Sequence, residues 1–157
     1  MTDTKAFRHC LGKFATGITV VTCRDHDGNP CGITANSFSS VSLDPPLVLW
    51  NIAKVSNSLH AYLEAESFAI NVLSEDQQPL SSHFARSDHT LFDDIDYQLS
   101  ADGAPVLQGN LATLECRTHD IHDCGDHHII IGRVTAFQSN ELDPLLFYSG
   151  AYHKLGK

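Results

Sequence analysis

Residues 32–47 read GITANSFSSVSLDPPL, and this polar stretch between two apolar runs decides how the chain is interpreted. Six of the thirteen residues from Thr34 to Pro46 carry a small hydroxyl or amide, more than a connecting loop needs. A Ser-rich loop or edge strand is the structural interpretation. The functional interpretation is a planar polar ligand at a strand edge, with its ring bonded by backbone groups of residues 39–42 and its tail by Thr34, Asn36 and Ser37. Composition leaves both open.

The sequence around this stretch predicts a mostly β fold with a few flanking helices. Ile18 to Cys23 is a β-branched run, and the Asp27-Gly28-Asn29-Pro30 turn after it indicates a hairpin. Further strands are predicted at Leu47–Ile52, Phe68–Leu73, Tyr97–Leu99, Leu111–Arg117, His128–Phe137 and Leu145–Tyr148. Helices are expected from an N-cap at Thr4 to near Gly17, after Ser56, and over Ser74–Phe84, where Pro79 interrupts. Seven or eight strands with few helices favour a barrel or sandwich.

Length and charge restrict the class of protein. The 157 residues fit a single domain over residues 1–157. Ten basic and 19 acidic residues give a net charge of -9, which argues against a nucleic-acid partner. An anionic ligand must therefore be bound by backbone N–H groups, hydroxyls and one or two cations.

The lack of a visible targeting signal and the pattern of cysteines predict a cytoplasmic protein. No run approaches 18 apolar residues and no secretory signal is visible, so we expect neither a membrane span nor export. The five cysteines form no CxxC pair, as in a reducing compartment. Cys23 and Cys31 flank the first hairpin turn and would pair only if oxidised.

Asn51, Ser56, Asn57 and Ser58 form a second polar cluster. If a helix begins after Ser56, its free N–H groups and the neighbouring hydroxyls would make a phosphate site. Plain N-capping by Ser56 explains the same residues.

A dense group of cysteines and histidines lies between Cys116 and His128. Thiolates and imidazoles are zinc ligands, but the spacing follows neither the two-cysteine, two-histidine pattern nor the four-cysteine pattern. The group is expected at the turn of a hairpin as exposed loop residues, and no metal site is predicted.

Five ordered motifs from about Gly12 to Leu155 together resemble the short-chain NAD(P)H:flavin reductases. They are Gly32–Leu47, Phe68–Leu73, His83-Phe84-Ala85, Gly125-Asp126-His127 leading into Ile131–Val134, and Leu146–Tyr152. The resemblance implies the FMN-binding split β-barrel, a Greek-key fold, in a homodimer that binds flavin near the subunit interface. It also implies reduction of FMN or FAD by NADH or NADPH, with the reduced flavin supplied to a separate monooxygenase component.

The resemblance also implies roles for individual residues. Thr34, Ala35, Asn36 and Ser37 would line the ribityl and phosphate side, and Ser39, Ser40, Val41 and Ser42 the isoalloxazine edge. Asn51, Ser56, Asn57 and Ser58 would complete the phosphate pocket, Phe84 and Ala85 would pack near the ring, and Tyr152 would lie close to the flavin. His127 would orient the nicotinamide without transferring a proton.

The implied chemistry needs no catalytic side chain. Hydride transfer to flavin N5 is carried out by the two cofactors, so the protein supplies positioning and hydrogen bonds. A flavin-retaining oxidase or monooxygenase of the same fold and a non-catalytic FMN-binding protein remain alternatives.

Overall fold

The computed structural model describes residues 3–86 and 91–156, and strands dominate these ranges. The helices are α1 (Thr4–Leu11), α2 (Leu59–Glu64) and α3 (Gln78–Phe84), with a 3-10 turn at Glu75–Gln77. The strands are β1 (Thr16–Gly17), β2 (Thr19–Arg24), β3 (Pro30–Ala35), β4 (Ser39–Leu43), β5 (Pro46–Ala53), β6 (Ser67–Val72), β7 (Tyr97–Leu99), β8 (Pro105–Leu107), β9 (Ala112–Cys124), β10 (His127–Ser139), β11 (Leu145–Tyr148) and β12 (Ala151–Lys154). No described helix has the length and apolar character needed to cross a membrane.

Seven strands form one antiparallel sheet in the order β3-β2-β6-β9-β10-β5-β4. Its two edge strands, β3 and β4, are consecutive in the chain but are not hydrogen-bonded to each other. The barrel is therefore left open where residues 36–38 connect them. The predicted mostly β, split-barrel class is confirmed, with the split beside the polar stretch that first suggested a ligand.

Strand β2 lies between two cores, which explains why five of its six residues are buried. Val21 and Cys23 belong to the core around Trp50 and Phe68, whereas Val20 belongs to the core around Leu73, Phe84 and Leu145. Successive side chains of a strand point to opposite faces, so a strand between two cores is apolar throughout. This is the pattern of Ile18–Cys23.

A buried polar network crosses the sheet at Asn71. The Asn71 Nδ2 donates to Val20 O and Thr22 Oγ1, and its Oδ1 accepts from Leu107 N and Asn110 Nδ2, over 2.8–3.0 Å. Asn110 Nδ2 also donates to Thr113 Oγ1 at 2.9 Å. These four polar side chains are at most 4% exposed, and the amide groups of Asn71 have all found partners. The network ties β2, β6, β8 and β9 together.

The helices depart from the predicted boundaries. Asp3, not Thr4, caps α1, because its carboxylate accepts from the N–H groups of Lys5 and Ala6. Helix α1 ends at Leu11, well before Gly17, and buries no residue. Pro79 does not interrupt α3 but lies in its first turn, where a missing N–H costs nothing.

The longest hairpin extends further than its sequence predicts. The β9 strand continues from Arg117 to Cys124, through residues that, apart from Ile121, are mostly polar, acidic or histidine. Its pairing with β10 runs from Cys124↔His127 to Ala112↔Ser139, so cross-strand hydrogen bonding overrides weak strand propensity. Of the predicted polar excursion over residues 87–103, the first four residues lie outside the described part of the chain. The short strand expected within it is confirmed as β7, Tyr97–Leu99.

Candidate functional site

A cavity of about 780 Å³ opens between the β2–β3 hairpin, the start of α2 and the end of α3. Cys31 and Gly32 on β3 form one wall, and Ser56, Asn57 and Ser58 form a second. The remaining lining includes His60, Phe84, Ala85, Arg86 and Phe92. Its size falls within the range of cofactor pockets.

Gly32 is needed for the packing of this cavity wall. A Cβ atom at residue 32 would lie 2.7 Å from two ring carbons of Phe84, which is 1% exposed. The glycine therefore lets α3 pack its last aromatic ring directly on β3. The glycine that begins the polar stretch is thus a steric requirement of the site wall.

Strand β4 places the isoalloxazine-binding candidates at an edge of the sheet. It pairs only with β5, so the backbone groups along its other side have no strand partner among the described residues. The register shifts between Ser40 and Ser42, and this bulge re-aims the strand at Val41. The edge-strand interpretation is confirmed, and such an edge can bond a planar ligand through its main chain.

The side chains of the polar stretch divide into two groups. Thr34 Oγ1 donates to Ser81 O at 2.7 Å, and Ser37 Oγ accepts from Asn51 N at 2.9 Å and donates to Asn51 O at 3.3 Å. These hydroxyls hold β3, α3 and β5 together across the split. Asn36, Ser40 and Ser42, by contrast, make no side-chain hydrogen bond within residues 3–86 and 91–156.

Asn51 carries a polar atom that the described chain leaves unsatisfied. Its Oδ1 is buried and has no hydrogen-bond partner, beside the Ser37 hydroxyl that bonds the Asn51 backbone. An unsatisfied buried amide oxygen costs roughly 1–3 kcal/mol. A ligand hydroxyl or ring N–H at this position would satisfy it, so the residues present fit a polar cofactor.

The predicted helix cap beside the phosphate candidates is wrong in detail. Helix α2 begins at Leu59 with Ser58 as its N-cap, and no side chain caps it. The Ser56 and Ser58 hydroxyls lie 3.2 Å apart and Ser58 N donates weakly to Ser56 Oγ at 3.4 Å. Because neither hydroxyl serves as a helix cap, both stay available at the cavity wall.

His127 lies on the strand next to the phosphate candidates. It pairs with Ala53 of β5, just before the segment that leads to Ser56. Its Nδ1 lies 2.6 Å from the Asp126 carboxylate, and this bond holds the pKa of Asp126 below its ordinary value. Since a carboxylate only accepts, Nδ1 donates and Nε2 is left for another partner. Gly125, with φ of 62°, makes the tight turn that aims His127.

Lys54 joins the two candidate subsites. Its backbone N–H donates to Asp126 O at 2.9 Å, and its ammonium forms an ion pair with Asp123. That pair lowers the pKa of Asp123. The segment carrying Ser56–Ser58 is thereby anchored to the turn that carries His127.

Tyr152 meets α3 at Ser81, a residue that the sequence does not single out. The Tyr152 and Ser81 hydroxyls lie 2.7 Å apart, and Thr34 bonds the Ser81 carbonyl. Ser81 itself is fully buried. It joins β3, α3 and β12, a convergence of distant segments that no local signal reveals.

Five of the sixteen predicted site residues line the cavity: Ser56, Asn57, Ser58, Phe84 and Ala85. The other eleven lie outside its wall, along β3, β4, β5, β10 and β12 or in the connection 36–38: Thr34, Ala35, Asn36, Ser37, Ser39, Ser40, Val41, Ser42, Asn51, His127 and Tyr152. Cys31, His60 and Phe92 line the cavity without having been predicted. Arg86 also lines the cavity. It directly follows Phe84 and Ala85, and this position in the sequence could have indicated that it lies at the site.

The cysteines and histidines between Cys116 and His128 are spread along a hairpin instead of gathered at its turn. Cys116 is buried in the core, whereas His119, His122 and Cys124 are exposed along β9. Among the residues that the structure describes, no group of three or more His, Cys, Asp or Glu side chains could hold a metal ion.

Known proteins resemble this chain over nearly its whole length. The chain is 48% identical over 155 residues to the FMN reductase (NADH) SmoA of Agrobacterium fabrum, covering 99% of this chain and 88% of that protein. It is 44% identical over 148 residues to the reductase component of the flavin-dependent trigonelline monooxygenase of Acinetobacter baylyi, covering 94% of this chain but about half (48%) of that longer relative.

A solved structure shows the same fold. The Streptomyces globisporus NADH:FAD oxidoreductase SgcE6, in complex with NAD and FAD fragments, superposes with a TM-score of 0.91 at 38% identity, over 98% of this chain and 93% of that one. The model of the flavin reductase like domain matches residues 11–156. The open antiparallel barrel and nearly the whole sequence agree, and this chain belongs to the flavin reductase-like family.

Proposed function

We propose that this protein uses NADH or NADPH to reduce FMN or FAD, as a single flavin-binding domain over residues 1–157. The observation that carries the proposal is the unpaired edge of β4 beside the buried, unsatisfied Oδ1 of Asn51. Together they offer main-chain and amide groups suited to a planar heterocycle with a polar tail. The FMN reductase activity named for the Agrobacterium fabrum relative supports the same assignment.

The flavin would lie across the split between β3 and β4. The edge of β4, residues 39–42, would bond the isoalloxazine, and Thr34 to Ser37 with Asn51 would face the ribityl chain. The phosphate would take the hydroxyls of Ser56 and Ser58 and the N–H group of Asn57, with Phe84 and Ala85 near the ring and Tyr152 alongside. This capture needs little positive charge, in agreement with a net charge of -9.

When bound, the flavin supplies the chemistry by accepting a hydride at N5 from the nicotinamide C4. The chain holds the two rings in register and keeps water from the reacting faces. His127 contributes by binding the nicotinamide dinucleotide through Nε2, because Asp126 holds its Nδ1. No side chain needs to donate or accept a proton.

A homodimer would cover the apolar residues that the chain leaves exposed. Phe14, Leu43, Val55 and Phe137 are 79–95% exposed, and a partner would remove this apolar surface from water. Residues Leu49 and Ile131, on the sheet face opposite Trp50, are also only partly covered. A second copy placed there would close the flavin site near the interface, and sedimentation of the protein at micromolar concentration should give twice the mass of one chain.

Reduced flavin would leave the protein for a separate monooxygenase component in the cytoplasm. The Acinetobacter baylyi relative is named as the reductase component of such a system. An enzyme that passes on reduced flavin should bind flavin loosely, consistent with a site built from hydroxyls and N–H groups.

The deciding experiment measures initial rates of NADH oxidation in air by untagged protein as FMN is varied from none to excess. We expect almost no rate without FMN and saturation as FMN is added, because flavin is a substrate. Flavin that stays bound through purification and supports full activity without added FMN would favour the retained-cofactor oxidase. No oxidation with any combination of NADH, NADPH, FMN and FAD would leave a flavin-binding protein.

The nicotinamide subsite is tested by His127→Ala. We expect a raised KM for NADH with little change in the flavin Kd, since His127 would bind the dinucleotide and not the flavin. His122→Ala is the matched control, because this exposed histidine lies on the neighbouring strand and pairs only with Asp120. An unchanged KM in His127→Ala would remove this residue from the subsite.

A further inference from the structure

Cys31, at the wall of the cavity, faces the buried Cys23 across the first hairpin. Cys23 of β2 and Cys31 of β3 are directly opposite in the antiparallel register. Residues opposite each other in such a pair have Cα atoms about 4.5–5.5 Å apart, and disulfides span Cα separations of about 4.4–6.8 Å. Both thiols are free and belong to the same core cluster. The backbone therefore already holds them at bonding distance.

The two thiols differ in access and in electrostatics. Cys23 is fully buried, whereas Cys31 is half-buried and lines the cavity. The neighbouring Cys23 thiol lowers the pKa of Cys31, against the opposing effects of burial and the Asp25 carboxylate. The pKa of Cys23 is raised, chiefly by its Cys31 neighbour and by burial. Cys31 is the sulfur that a small oxidant meets first, and Cys23 is its resolving partner.

We propose that Cys23 and Cys31 form a redox-active dithiol that hydrogen peroxide converts into a cross-strand disulfide at the wall of the flavin cavity. Peroxide oxidises the Cys31 thiolate to a sulfenic acid and releases hydroxide. The Cys23 thiol then attacks the sulfenic sulfur, the S–S bond forms and water leaves. The dithiol loses two electrons and two protons in total, and one peroxide becomes two waters.

The oxidant has a source in the proposed function, on which this part of the inference rests. Reduced flavin that reacts with O₂ instead of reaching an oxygenase yields oxidised flavin and hydrogen peroxide. The disulfide would therefore form when turnover is uncoupled from the oxygenase, at the wall of the proposed flavin cavity. Accessible disulfides are the readily reduced ones, and Cys31 lines the cavity, so cellular thiols would reduce the bond again.

The other cysteines provide internal controls. Cys116 is buried, and burial raises its pKa to about 12, which disfavours the reactive thiolate. Cys10 and Cys124 are exposed, but neither is opposite another cysteine in the described sheets. Exposure alone would make Cys10 and Cys124 the first to react, whereas a preformed pair makes Cys31 the first to close a disulfide.

The test treats reduced protein with stoichiometric hydrogen peroxide, quenches free thiols by alkylation and maps the tryptic peptides. Cleavage after Lys13, Arg24 and Lys54 places Cys23 in residues 14–24 and Cys31 in residues 25–54, each the only cysteine of its peptide. We expect these two peptides to appear joined before Cys10 or Cys124 is modified. Free Cys23 and Cys31 after Cys10 and Cys124 have been oxidised would overturn the proposal.

Two variants separate the roles of the thiols. Cys23→Ala removes the resolving thiol without burying a new polar group, and we expect dimedone to trap a sulfenic acid at Cys31. Cys31→Ser should leave Cys23 reduced, because the buried thiol meets no oxidant. Trapping at Cys23 in Cys31→Ser to the same extent as at Cys31 in Cys23→Ala would contradict the assigned order of attack.

The peroxide source is tested separately, during turnover with NADH and FMN in air. We expect the same joined peptides, and at least a fivefold decrease when catalase is present. Rapid NADH oxidation without the disulfide, or a disulfide that catalase does not reduce, would overturn the assignment of the oxidant. Absence of NADH oxidation would count against the proposed function, while the added-peroxide experiment still decides the dithiol.

Discussion

Two polar regions of this molecule have opposite hydrogen-bonding states. Around Asn71, each buried amide group has a protein partner, and four strands are joined through it. Around Asn36 and Asn51, an exposed amide has no partner in the described chain and a buried amide oxygen is unsatisfied. A polar cluster with all its bonds made stabilises a fold, whereas one with bonds still to make is a place to bind.

The largest effect is expected from Asn71→Ala. The change leaves Leu107 N and the Val20 carbonyl without this partner in a region that water does not reach. We expect a loss of about 3–5 kcal/mol in the free energy of unfolding, measured by urea denaturation. A loss below about 1 kcal/mol would show that the network is not the structural element described here.

Asn36→Ala is the matched change in the second region. Because the Asn36 side chain is exposed and makes no hydrogen bond to the described residues, the free energy of unfolding should stay within about 0.5 kcal/mol of the original. The flavin Kd, measured by fluorescence quenching, should rise about five- to tenfold through loss of one hydrogen bond. An unchanged Kd would place the ribityl chain elsewhere.

The sequence predicts only in part which polar residues belong to the fold and which belong to the candidate site. The strands were predictable because β2, β5 and β6 are apolar on faces that the two cores require, and the first hairpin has its Asp-Gly turn. The polar stretch was recognisable from its excess of hydroxyls. Which of those hydroxyls are already bonded was not, because Thr34 and Ser37 find partners 47 and 14 residues away.

The cavity wall was similarly hidden from the sequence. Cys31 and Phe92 reach it through strand register and through packing of distant segments, neither of which leaves a local pattern. Strand β9 was cut short in prediction because His119 to Cys124 look like a loop when their pairing with β10 is not known.

Tyr152→Phe tests a residue that the site proposal places beside the flavin and that also bonds the protein itself. Its hydroxyl bonds the buried Ser81 hydroxyl, so removal should cost about 1 kcal/mol of unfolding free energy. If Tyr152 also contacts flavin through its ring, the flavin Kd should stay within about twofold, because the ring remains. A large rise in Kd without loss of stability would assign the hydroxyl to the ligand instead.

The smallest effect is expected from Asp123→Asn, which removes the partner of Lys54 at the surface. The pKa of Asp123 is lowered, so any contribution is present at neutral pH and disappears as the pH falls through that lowered pKa. Solvent screens the exposed pair, and the urea midpoint at pH 7 should not change measurably. A clear shift would mean that Lys54 anchors the turn of His127 through its ammonium and not only through its backbone.

Helix α1 buries none of its eight residues against its own chain, although Phe7 and Leu11 lie on it and Phe14 follows. A helix this short is marginal in water without a surface to pack on. In the proposed dimer, a partner would provide that surface, and folding of the N-terminus would be coupled to association by mass action. The stability of this segment is then a property of protein concentration, and dilution alone would act on it as a denaturant does.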